Sequence, residues 1–90
     1  SFNAGIRNNT IYNTGDDAIE ILNSSNPTVS ENVIGYTNAA GTVFGGVNNV
    51  AGVGIRIDNG AAALVRANKI AQTGGWGAIE VVNTNGATIG

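Results

Sequence analysis

One pattern occurs three times in register along this chain: Ile6-Arg7-Asn8-Asn9-Thr10-Ile11, Val29-Ser30-Glu31-Asn32-Val33-Ile34 and Val65-Arg66-Ala67-Asn68-Lys69-Ile70. Each copy has an aliphatic residue, an Asn three positions later and an Ile two after that. A Thr follows each time, at Thr14, Thr37 and Thr73. A second half repeats as well: Ile19-Glu20-Ile21, Ile55-Arg56-Ile57 and Ile79-Glu80-Val81, each with an Asn two residues on, at Asn23, Asn59 and Asn83. Self-similarity at a period of a few tens of residues is the mark of stacked supersecondary units, so the pattern predicts coils of one solenoid.

The coils span residues 6–28, 29–64 and 65–88, with Ile89 opening a fourth, all in one segment covering 1–90. Within them, outward residues are flanked by aliphatic ones, Ile19 and Ile21 around Glu20 for example. Period-two alternation of β-branched residues reads as strand and not helix. Stacked coils place Ile6/Val29/Val65/Ile89, Ile11/Ile34/Ile70, Ile19/Ile55/Ile79 and Ile21/Ile57/Val81 in inward columns. At roughly 1.5–3 kcal/mol per buried aliphatic side chain, these columns drive folding.

The Asn residues mark the corners, where a sharp turn needs a left-handed backbone that Gly accepts freely and Asn next. In register, Asn9/Asn32/Asn68 form one ladder of amide-to-amide hydrogen bonds and Asn23/Asn59/Asn83 a second. The Thr14/Thr37/Thr73 column is a single row, which argues against a two-row ice-binding face.

Composition excludes other classes. Charged residues are 11% of the chain and Gly is plentiful, which is wrong for a helical bundle or coiled coil. A net charge of −2 leaves no basic footprint for nucleic acid. No polybasic or amphipathic stretch suits a membrane surface, and no apolar run approaches the ~20 residues of a span. The absence of cysteine removes disulfides and thiolate metal sites.

The aliphatic-x-x-Asn-x-Ile and Ile-x-Ile-x-Asn repeat resembles that of the right-handed, pectate-lyase-like parallel β-helix superfamily, over essentially the whole chain. The resemblance implies an all-β, right-handed parallel β-helix of about three coils with one long inserted loop. It leaves function open, because that superfamily includes lyases, hydrolases, adhesins, tailspikes and structural solenoids. It also implies that Ile19, Ile55 and Ile79 open strands on the sheet that carries the active cleft in the enzymes.

Coil two is longer than coil one by an insertion at 38–53, a Gly-, Asn- and Val-rich loop without a charge. It is expected to make contacts rather than do chemistry, with Phe44 and Trp76 as candidate carbohydrate-contact residues. Gly15-Asp16-Asp17 resembles the Gly-Asp-Asp segment of polygalacturonases, and glycoside hydrolysis needs paired carboxylates. However, the chain has no histidine, and Asp58 stands where that family has lysine. A lyase reading makes Asp16, Asp17 and Glu20 a weak Ca²⁺ site, with Arg56 as the proton-abstracting base. Against both stands the simpler expectation that Glu20, Arg56 and Glu80 form a self-neutralising outward row.

Three coils at ~4.8 Å each leave both ends as open sheet edges, which solenoids ordinarily cover. The expectation is therefore a structural, extracellular or cell-surface module, belonging to a filament, surface or tail solenoid. Its partners are copies of itself or neighbouring coils, and polysaccharide is a further candidate. The alternative is a fragment of a polysaccharide lyase or glycoside hydrolase acting on uronate-containing polymers.

Overall fold

A computed structural model of the chain describes residues 5–47, 49–75 and 77–90. Ten short strands run β1 (Gly5–Arg7), β2 (Thr10–Ile11), β3 (Ile19–Leu22), β4 (Thr28–Ser30), β5 (Val33–Ile34), β6 (Ile55–Asp58), β7 (Leu64–Arg66), β8 (Lys69–Ile70), β9 (Ile79–Val82) and β10 (Thr88–Ile89). They form three parallel sheets in the orders β1-β4-β7-β10, β2-β5-β8 and β3-β6-β9. Neighbours in each sheet are equivalent segments of successive repeats, as in a parallel β-helix. All four predicted columns appear as paired residues: Ile6 with Val29, Val29 with Val65, Val65 with Ile89; Ile11 with Ile34 and Ile34 with Ile70. On the third sheet Ile19 pairs with Ile55 and Ile55 with Ile79, and Ile21, Ile57 and Val81 follow.

Strands this short exist because the backbone turns left-handed at every corner. Between β1 and β2, β4 and β5, and β7 and β8 the positive φ falls on Asn8 (59°), Glu31 (56°) and Ala67 (56°). This corrects the expectation for the first row: Asn9, Asn32 and Asn68 stand one residue after the left-handed position. At ~1–2 kcal/mol per non-Gly residue, Glu31 and Ala67 carry strain that the surrounding structure must offset. The offset is visible in the ladder itself. Asn32 Oδ1 accepts from the Asn9 backbone N–H at 3.0 Å and from Asn9 Nδ2 at 3.1 Å. Asn68 Oδ1 accepts in the same way from the Asn32 N–H at 3.0 Å and Nδ2 at 2.9 Å. Asn32 Nδ2 also donates to the Ile6 carbonyl, and Asn68 Nδ2 to that of Val29.

The second row behaves differently. Asn23, Asn59 and Asn83 are themselves left-handed, at 55°, 57° and 50°. Asn59 Nδ2 donates to Asn23 Oδ1 at 2.9 Å, but Asn83 Nδ2 donates to Asp58 Oδ1 at 3.2 Å. The predicted ladder therefore stops after one rung, because a carboxylate one residue away is the stronger acceptor.

The register between the first two repeats jumps after Ile34. Ile11 pairs with Ile34, whereas Thr14 bridges Val50, which in turn bridges Thr73. Thr37 is thus not in the Thr14/Thr73 column; the fully buried Val50 is. The chain leaves the sheet after Gly35, whose N–H donates to the Ile11 carbonyl, and rejoins at Asn49, whose carbonyl accepts from Thr14. The excursion starts as a small hairpin, with an antiparallel bridge from Tyr36 to Phe44. Residues 50–53, expected in the loop, hydrogen-bond instead to the stacked turns on either side. Gly35 is the close-approach point: its φ is +84°, and a Cβ there would land on the Ala71 carbonyl oxygen.

The middle of the stack is the core. Val29, Ile34, Val50, Ile55 and Ile57 have no exposure, and Ile19, Ile21, Ala63 and Val65 join them. Ile6, Ile11, Ile70 and Ile79, in the outer repeats, are half-buried, and Ile89 is 49% exposed. A residue in the middle repeat has column neighbours above and below; one in an outer repeat has them on one side.

Candidate functional site

The outward residues of β3, β6 and β9 are in direct register, Glu20 opposite Arg56 and Arg56 opposite Glu80. The Arg56 guanidinium is held by three carboxylates: Glu80 Oε1 on Nε at 3.0 Å, Glu20 Oε2 on Nη1 at 3.1 Å and Asp58 Oδ2 on Nη2 at 3.5 Å. Asp58 is the partner that the sequence reading missed. The signal was there, since Arg56 and Asp58 are two apart on one strand and therefore share a face.

The Glu80 hydrogen bond is the main reason that the Arg56 pKa lies above its ordinary value; partial desolvation opposes it, and Glu20 and Asp58 reinforce it. A pKa raised in the folded state stabilises the fold at all pH values below the unfolded one and ceases to do so only as pH rises through the folded value. That window is strongly alkaline, so Arg56 stays cationic across any working range. Arg56→Gln leaves Glu20, Glu80 and Asp58 facing one another with no counter-charge. The expected result is a lower Tm, with a gap to the parent that stays constant from neutral to moderately alkaline pH and narrows with added salt. A gap indifferent to salt would show that the row acts by packing alone.

Beside the row lies an open cleft of about 430 Å³, lined by Asp16, Asp17, Gly52, Val53, Arg56, Gly75 and Glu80. Its wall is a stack of turns. The Gly52 N–H donates to the Asp16 carbonyl at 3.1 Å, and the Gly75 N–H to the Gly52 carbonyl at 3.0 Å. A Cβ on Gly52 would meet the Asp17 backbone N at 2.8 Å, and one on Gly75 the Gly52 carbonyl carbon at 2.7 Å. The missing side chains at these two positions let the turns stack in direct backbone contact.

The structure thus brings Asp16, Asp17 and Arg56 to one cleft, with Glu20 at the far side of the guanidinium. Asp17 Oδ1 accepts from the Val53 N–H at 2.9 Å, so one of its oxygens is committed to holding the turn. Asp16 uses its backbone carbonyl, which accepts from Thr14 Oγ1 at 2.8 Å. Among the described residues, no group of three or more acidic side chains is clustered closely enough to hold a metal ion. Chemically the cleft offers carboxylate oxygens and the N–H groups of a permanently charged guanidinium. That is a hydrogen-bonding surface, with Arg56 protonated and thus no acceptor for a proton.

Of the carbohydrate-contact candidates, Trp76 lies outside the described residues. Phe44 is 59% exposed and stacks on Tyr36, with ring centroids 5.0 Å apart and planes at 25°. Lys69 Nζ lies 5.2 Å from the Tyr36 ring centroid, so the platform is braced by a cation–π contact from the third repeat.

No curated protein and no solved structure matches the chain. A family model described as the right-handed beta helix region matches it over residues 1–90. With that match spanning the whole chain, and with parallel sheets built from successive repeats, the chain belongs to the right-handed β-helix family.

Proposed function

We propose that the chain is a structural β-helix module of an extracellular or cell-surface solenoid, and that its open ends are its working surfaces. The observation that carries this is the polarity of the Asn ladder. Each rung donates from one Asn to the Oδ1 of the next, and the series is unfinished at Asn9 and at Asn68. Asn9 Oδ1 accepts no hydrogen bond, and the Asn68 backbone N–H donates none, among the described residues. A coil added beyond Asn68 with an Asn in register would complete the next rung, and one before Asn9 the rung above. The half-buried Ile70 and Ile79 would gain their missing column neighbours at the same time.

Neighbouring coils of a longer or tail-type solenoid fit the third-repeat edge with less rearrangement than an identical copy does. β10 already occupies the position that β1 of an in-register copy would take. Such a copy would also set its Glu20 directly against Glu80, a like-charge pair. A filament of copies therefore requires β10 to give up its place. Phe44, presenting one ring face to solvent, is the glycan-contact candidate on this reading.

Sedimentation equilibrium with negative-stain microscopy over a concentration series tests the proposal. Association that increases with concentration, with particles lengthened along one axis, is expected. A stable monomer at every concentration would sink it.

The cleft supports a second reading, an enzyme fragment acting on uronate polymers through Asp16, Asp17, Glu20 and Arg56, with Ca²⁺ as its cofactor. On the structural reading, neither Ca²⁺ nor a uronate polymer raises the Tm, and Asp17→Asn does not change that response. A Ca²⁺- or uronate-dependent rise in Tm that disappears in Asp17→Asn would favour the enzyme.

A further inference from the structure

The chain contains two Asn-Gly pairs, Asn59-Gly60 and Asn85-Gly86, in different repeats. Asn-Gly is the sequence in which an asparagine amide is least protected, since a glycine amide nitrogen has no Cβ to hinder its approach to the preceding side chain. The fold treats the two pairs differently. Asn59 Nδ2 donates to Asn23 Oδ1 at 2.9 Å, and the Gly60 N–H donates to Thr84 Oγ1 at 3.1 Å. Gly60 is buried, with Ile57 Cγ2 2.6 Å from where its Cβ would be. Both the leaving amide and the attacking nitrogen of that pair are therefore engaged.

Asn85 and Gly86 are exposed, in the turn between β9 and β10. Among the described residues neither the Asn85 side chain nor the Gly86 N–H makes a hydrogen bond; the Asn85 carbonyl accepts from the Ala62 N–H at 2.8 Å. Asn85 lies in the third repeat, two residues before Ala87, which leads into β10.

We propose that Asn85 is a site of spontaneous deamidation and that the fold protects Asn59 from the same reaction. The Gly86 nitrogen attacks Asn85 Cγ; the new C–N bond closes a succinimide ring. The Cγ–Nδ2 bond breaks, and ammonia leaves with the proton from Gly86. Water then opens the ring at either carbonyl, giving aspartate or a backbone routed through the side-chain carboxyl. Both products add a negative charge at the third-repeat edge. The second also lengthens the turn that leads into β10, the strand against which a following coil must be placed.

The test is peptide mapping by mass spectrometry of the intact folded chain, aged in mildly alkaline buffer. Cleavage after Arg56, Arg66 and Lys69 puts Asn59 and Asn85 on separate peptides, residues 57–66 and 70–90. Amide-to-acid conversion is expected about tenfold faster on the 70–90 peptide, the factor that one hydrogen bond of typical net strength provides. In denaturant the two rates should converge, because the protection of Asn59 belongs to the fold. Asn85→Gln should abolish the fast conversion, and Thr84→Val, which frees the Gly60 N–H, should accelerate Asn59 severalfold. Equal rates in the folded chain, or a difference that persists in denaturant, would overturn the proposal.

Discussion

Ile55→Ala is expected to cost about 2–5 kcal/mol, toward the upper end, whereas Ile79→Ala in the same column costs about half as much. Ile55 has no exposure and is flanked in register by Ile19 and Ile79, so the cavity left by truncation has walls on both sides and cannot collapse. Ile79 is half-buried at the edge of the stack, where solvent already reaches its outer side. Against the roughly 5–13 kcal/mol expected of a domain this size, the first loss is a large share of total stability. Urea denaturation measures both, provided that the m-value is unchanged between variants. The comparison also probes the ends. If the third repeat is covered in an assembled state, the two costs should approach each other as concentration rises, because Ile79 then acquires the neighbour it lacks. Equal costs in the dilute monomer would mean that the burial gradient across the stack has no energetic counterpart.

Asn32→Ala is expected to cost about 2–4 kcal/mol, against about 1 kcal/mol or less for Asn9→Ala. Asn32 is fully buried, and its side chain serves four groups: it accepts from the Asn9 N–H and Nδ2, and donates to the Ile6 carbonyl and Asn68 Oδ1. Truncation strands donors on one coil and acceptors on two, and a buried polar group without a partner costs more than the bond was worth. Asn9 is exposed at the edge of the stack, and water replaces its side chain's bonds. The loss in Asn32→Ala should also release the corner at Glu31, whose left-handed φ of 56° has no special residue to sustain it. Amide hydrogen exchange at residues 29–34 checks this: protection should fall there before it falls on the third sheet.

Much of this architecture was legible in the chain because a parallel stack repeats one constraint at each level. A column position must be aliphatic in every repeat, so Ile11, Ile34 and Ile70 announce their pairing without any view of the fold. The first Asn ladder was legible for the same reason, since each rung needs the same amide to donate and to accept. The row Glu20, Arg56, Glu80 followed from period-two alternation on three equivalent strands.

Other features follow from competition between neighbours that no single repeat encodes. Glu31 and Ala67 take the left-handed corner because Asn32 and Asn68 are needed one residue later for the ladder, so the strained position has no residue signature. Asn83 leaves its own row because Asp58 is within reach and is the stronger acceptor. Val50, and not Thr37, stands between Thr14 and Thr73 because the hairpin at Tyr36 and Phe44 moves the register before the chain returns. The cleft depends on where Gly52 and Gly75 fall relative to Asp16 and Asp17, which is a matter of stacking height. The sequence by itself determined the coils, their inward columns and the family, because those rest on periodic burial that every repeat must satisfy. The tertiary structure alone decided the acceptor of each amide, the length of the excursion and the commitment of Arg56 to three carboxylates. Those choices turn on distances between repeats, and hydrogen-bond energies fall away within an ångström or so of the best separation.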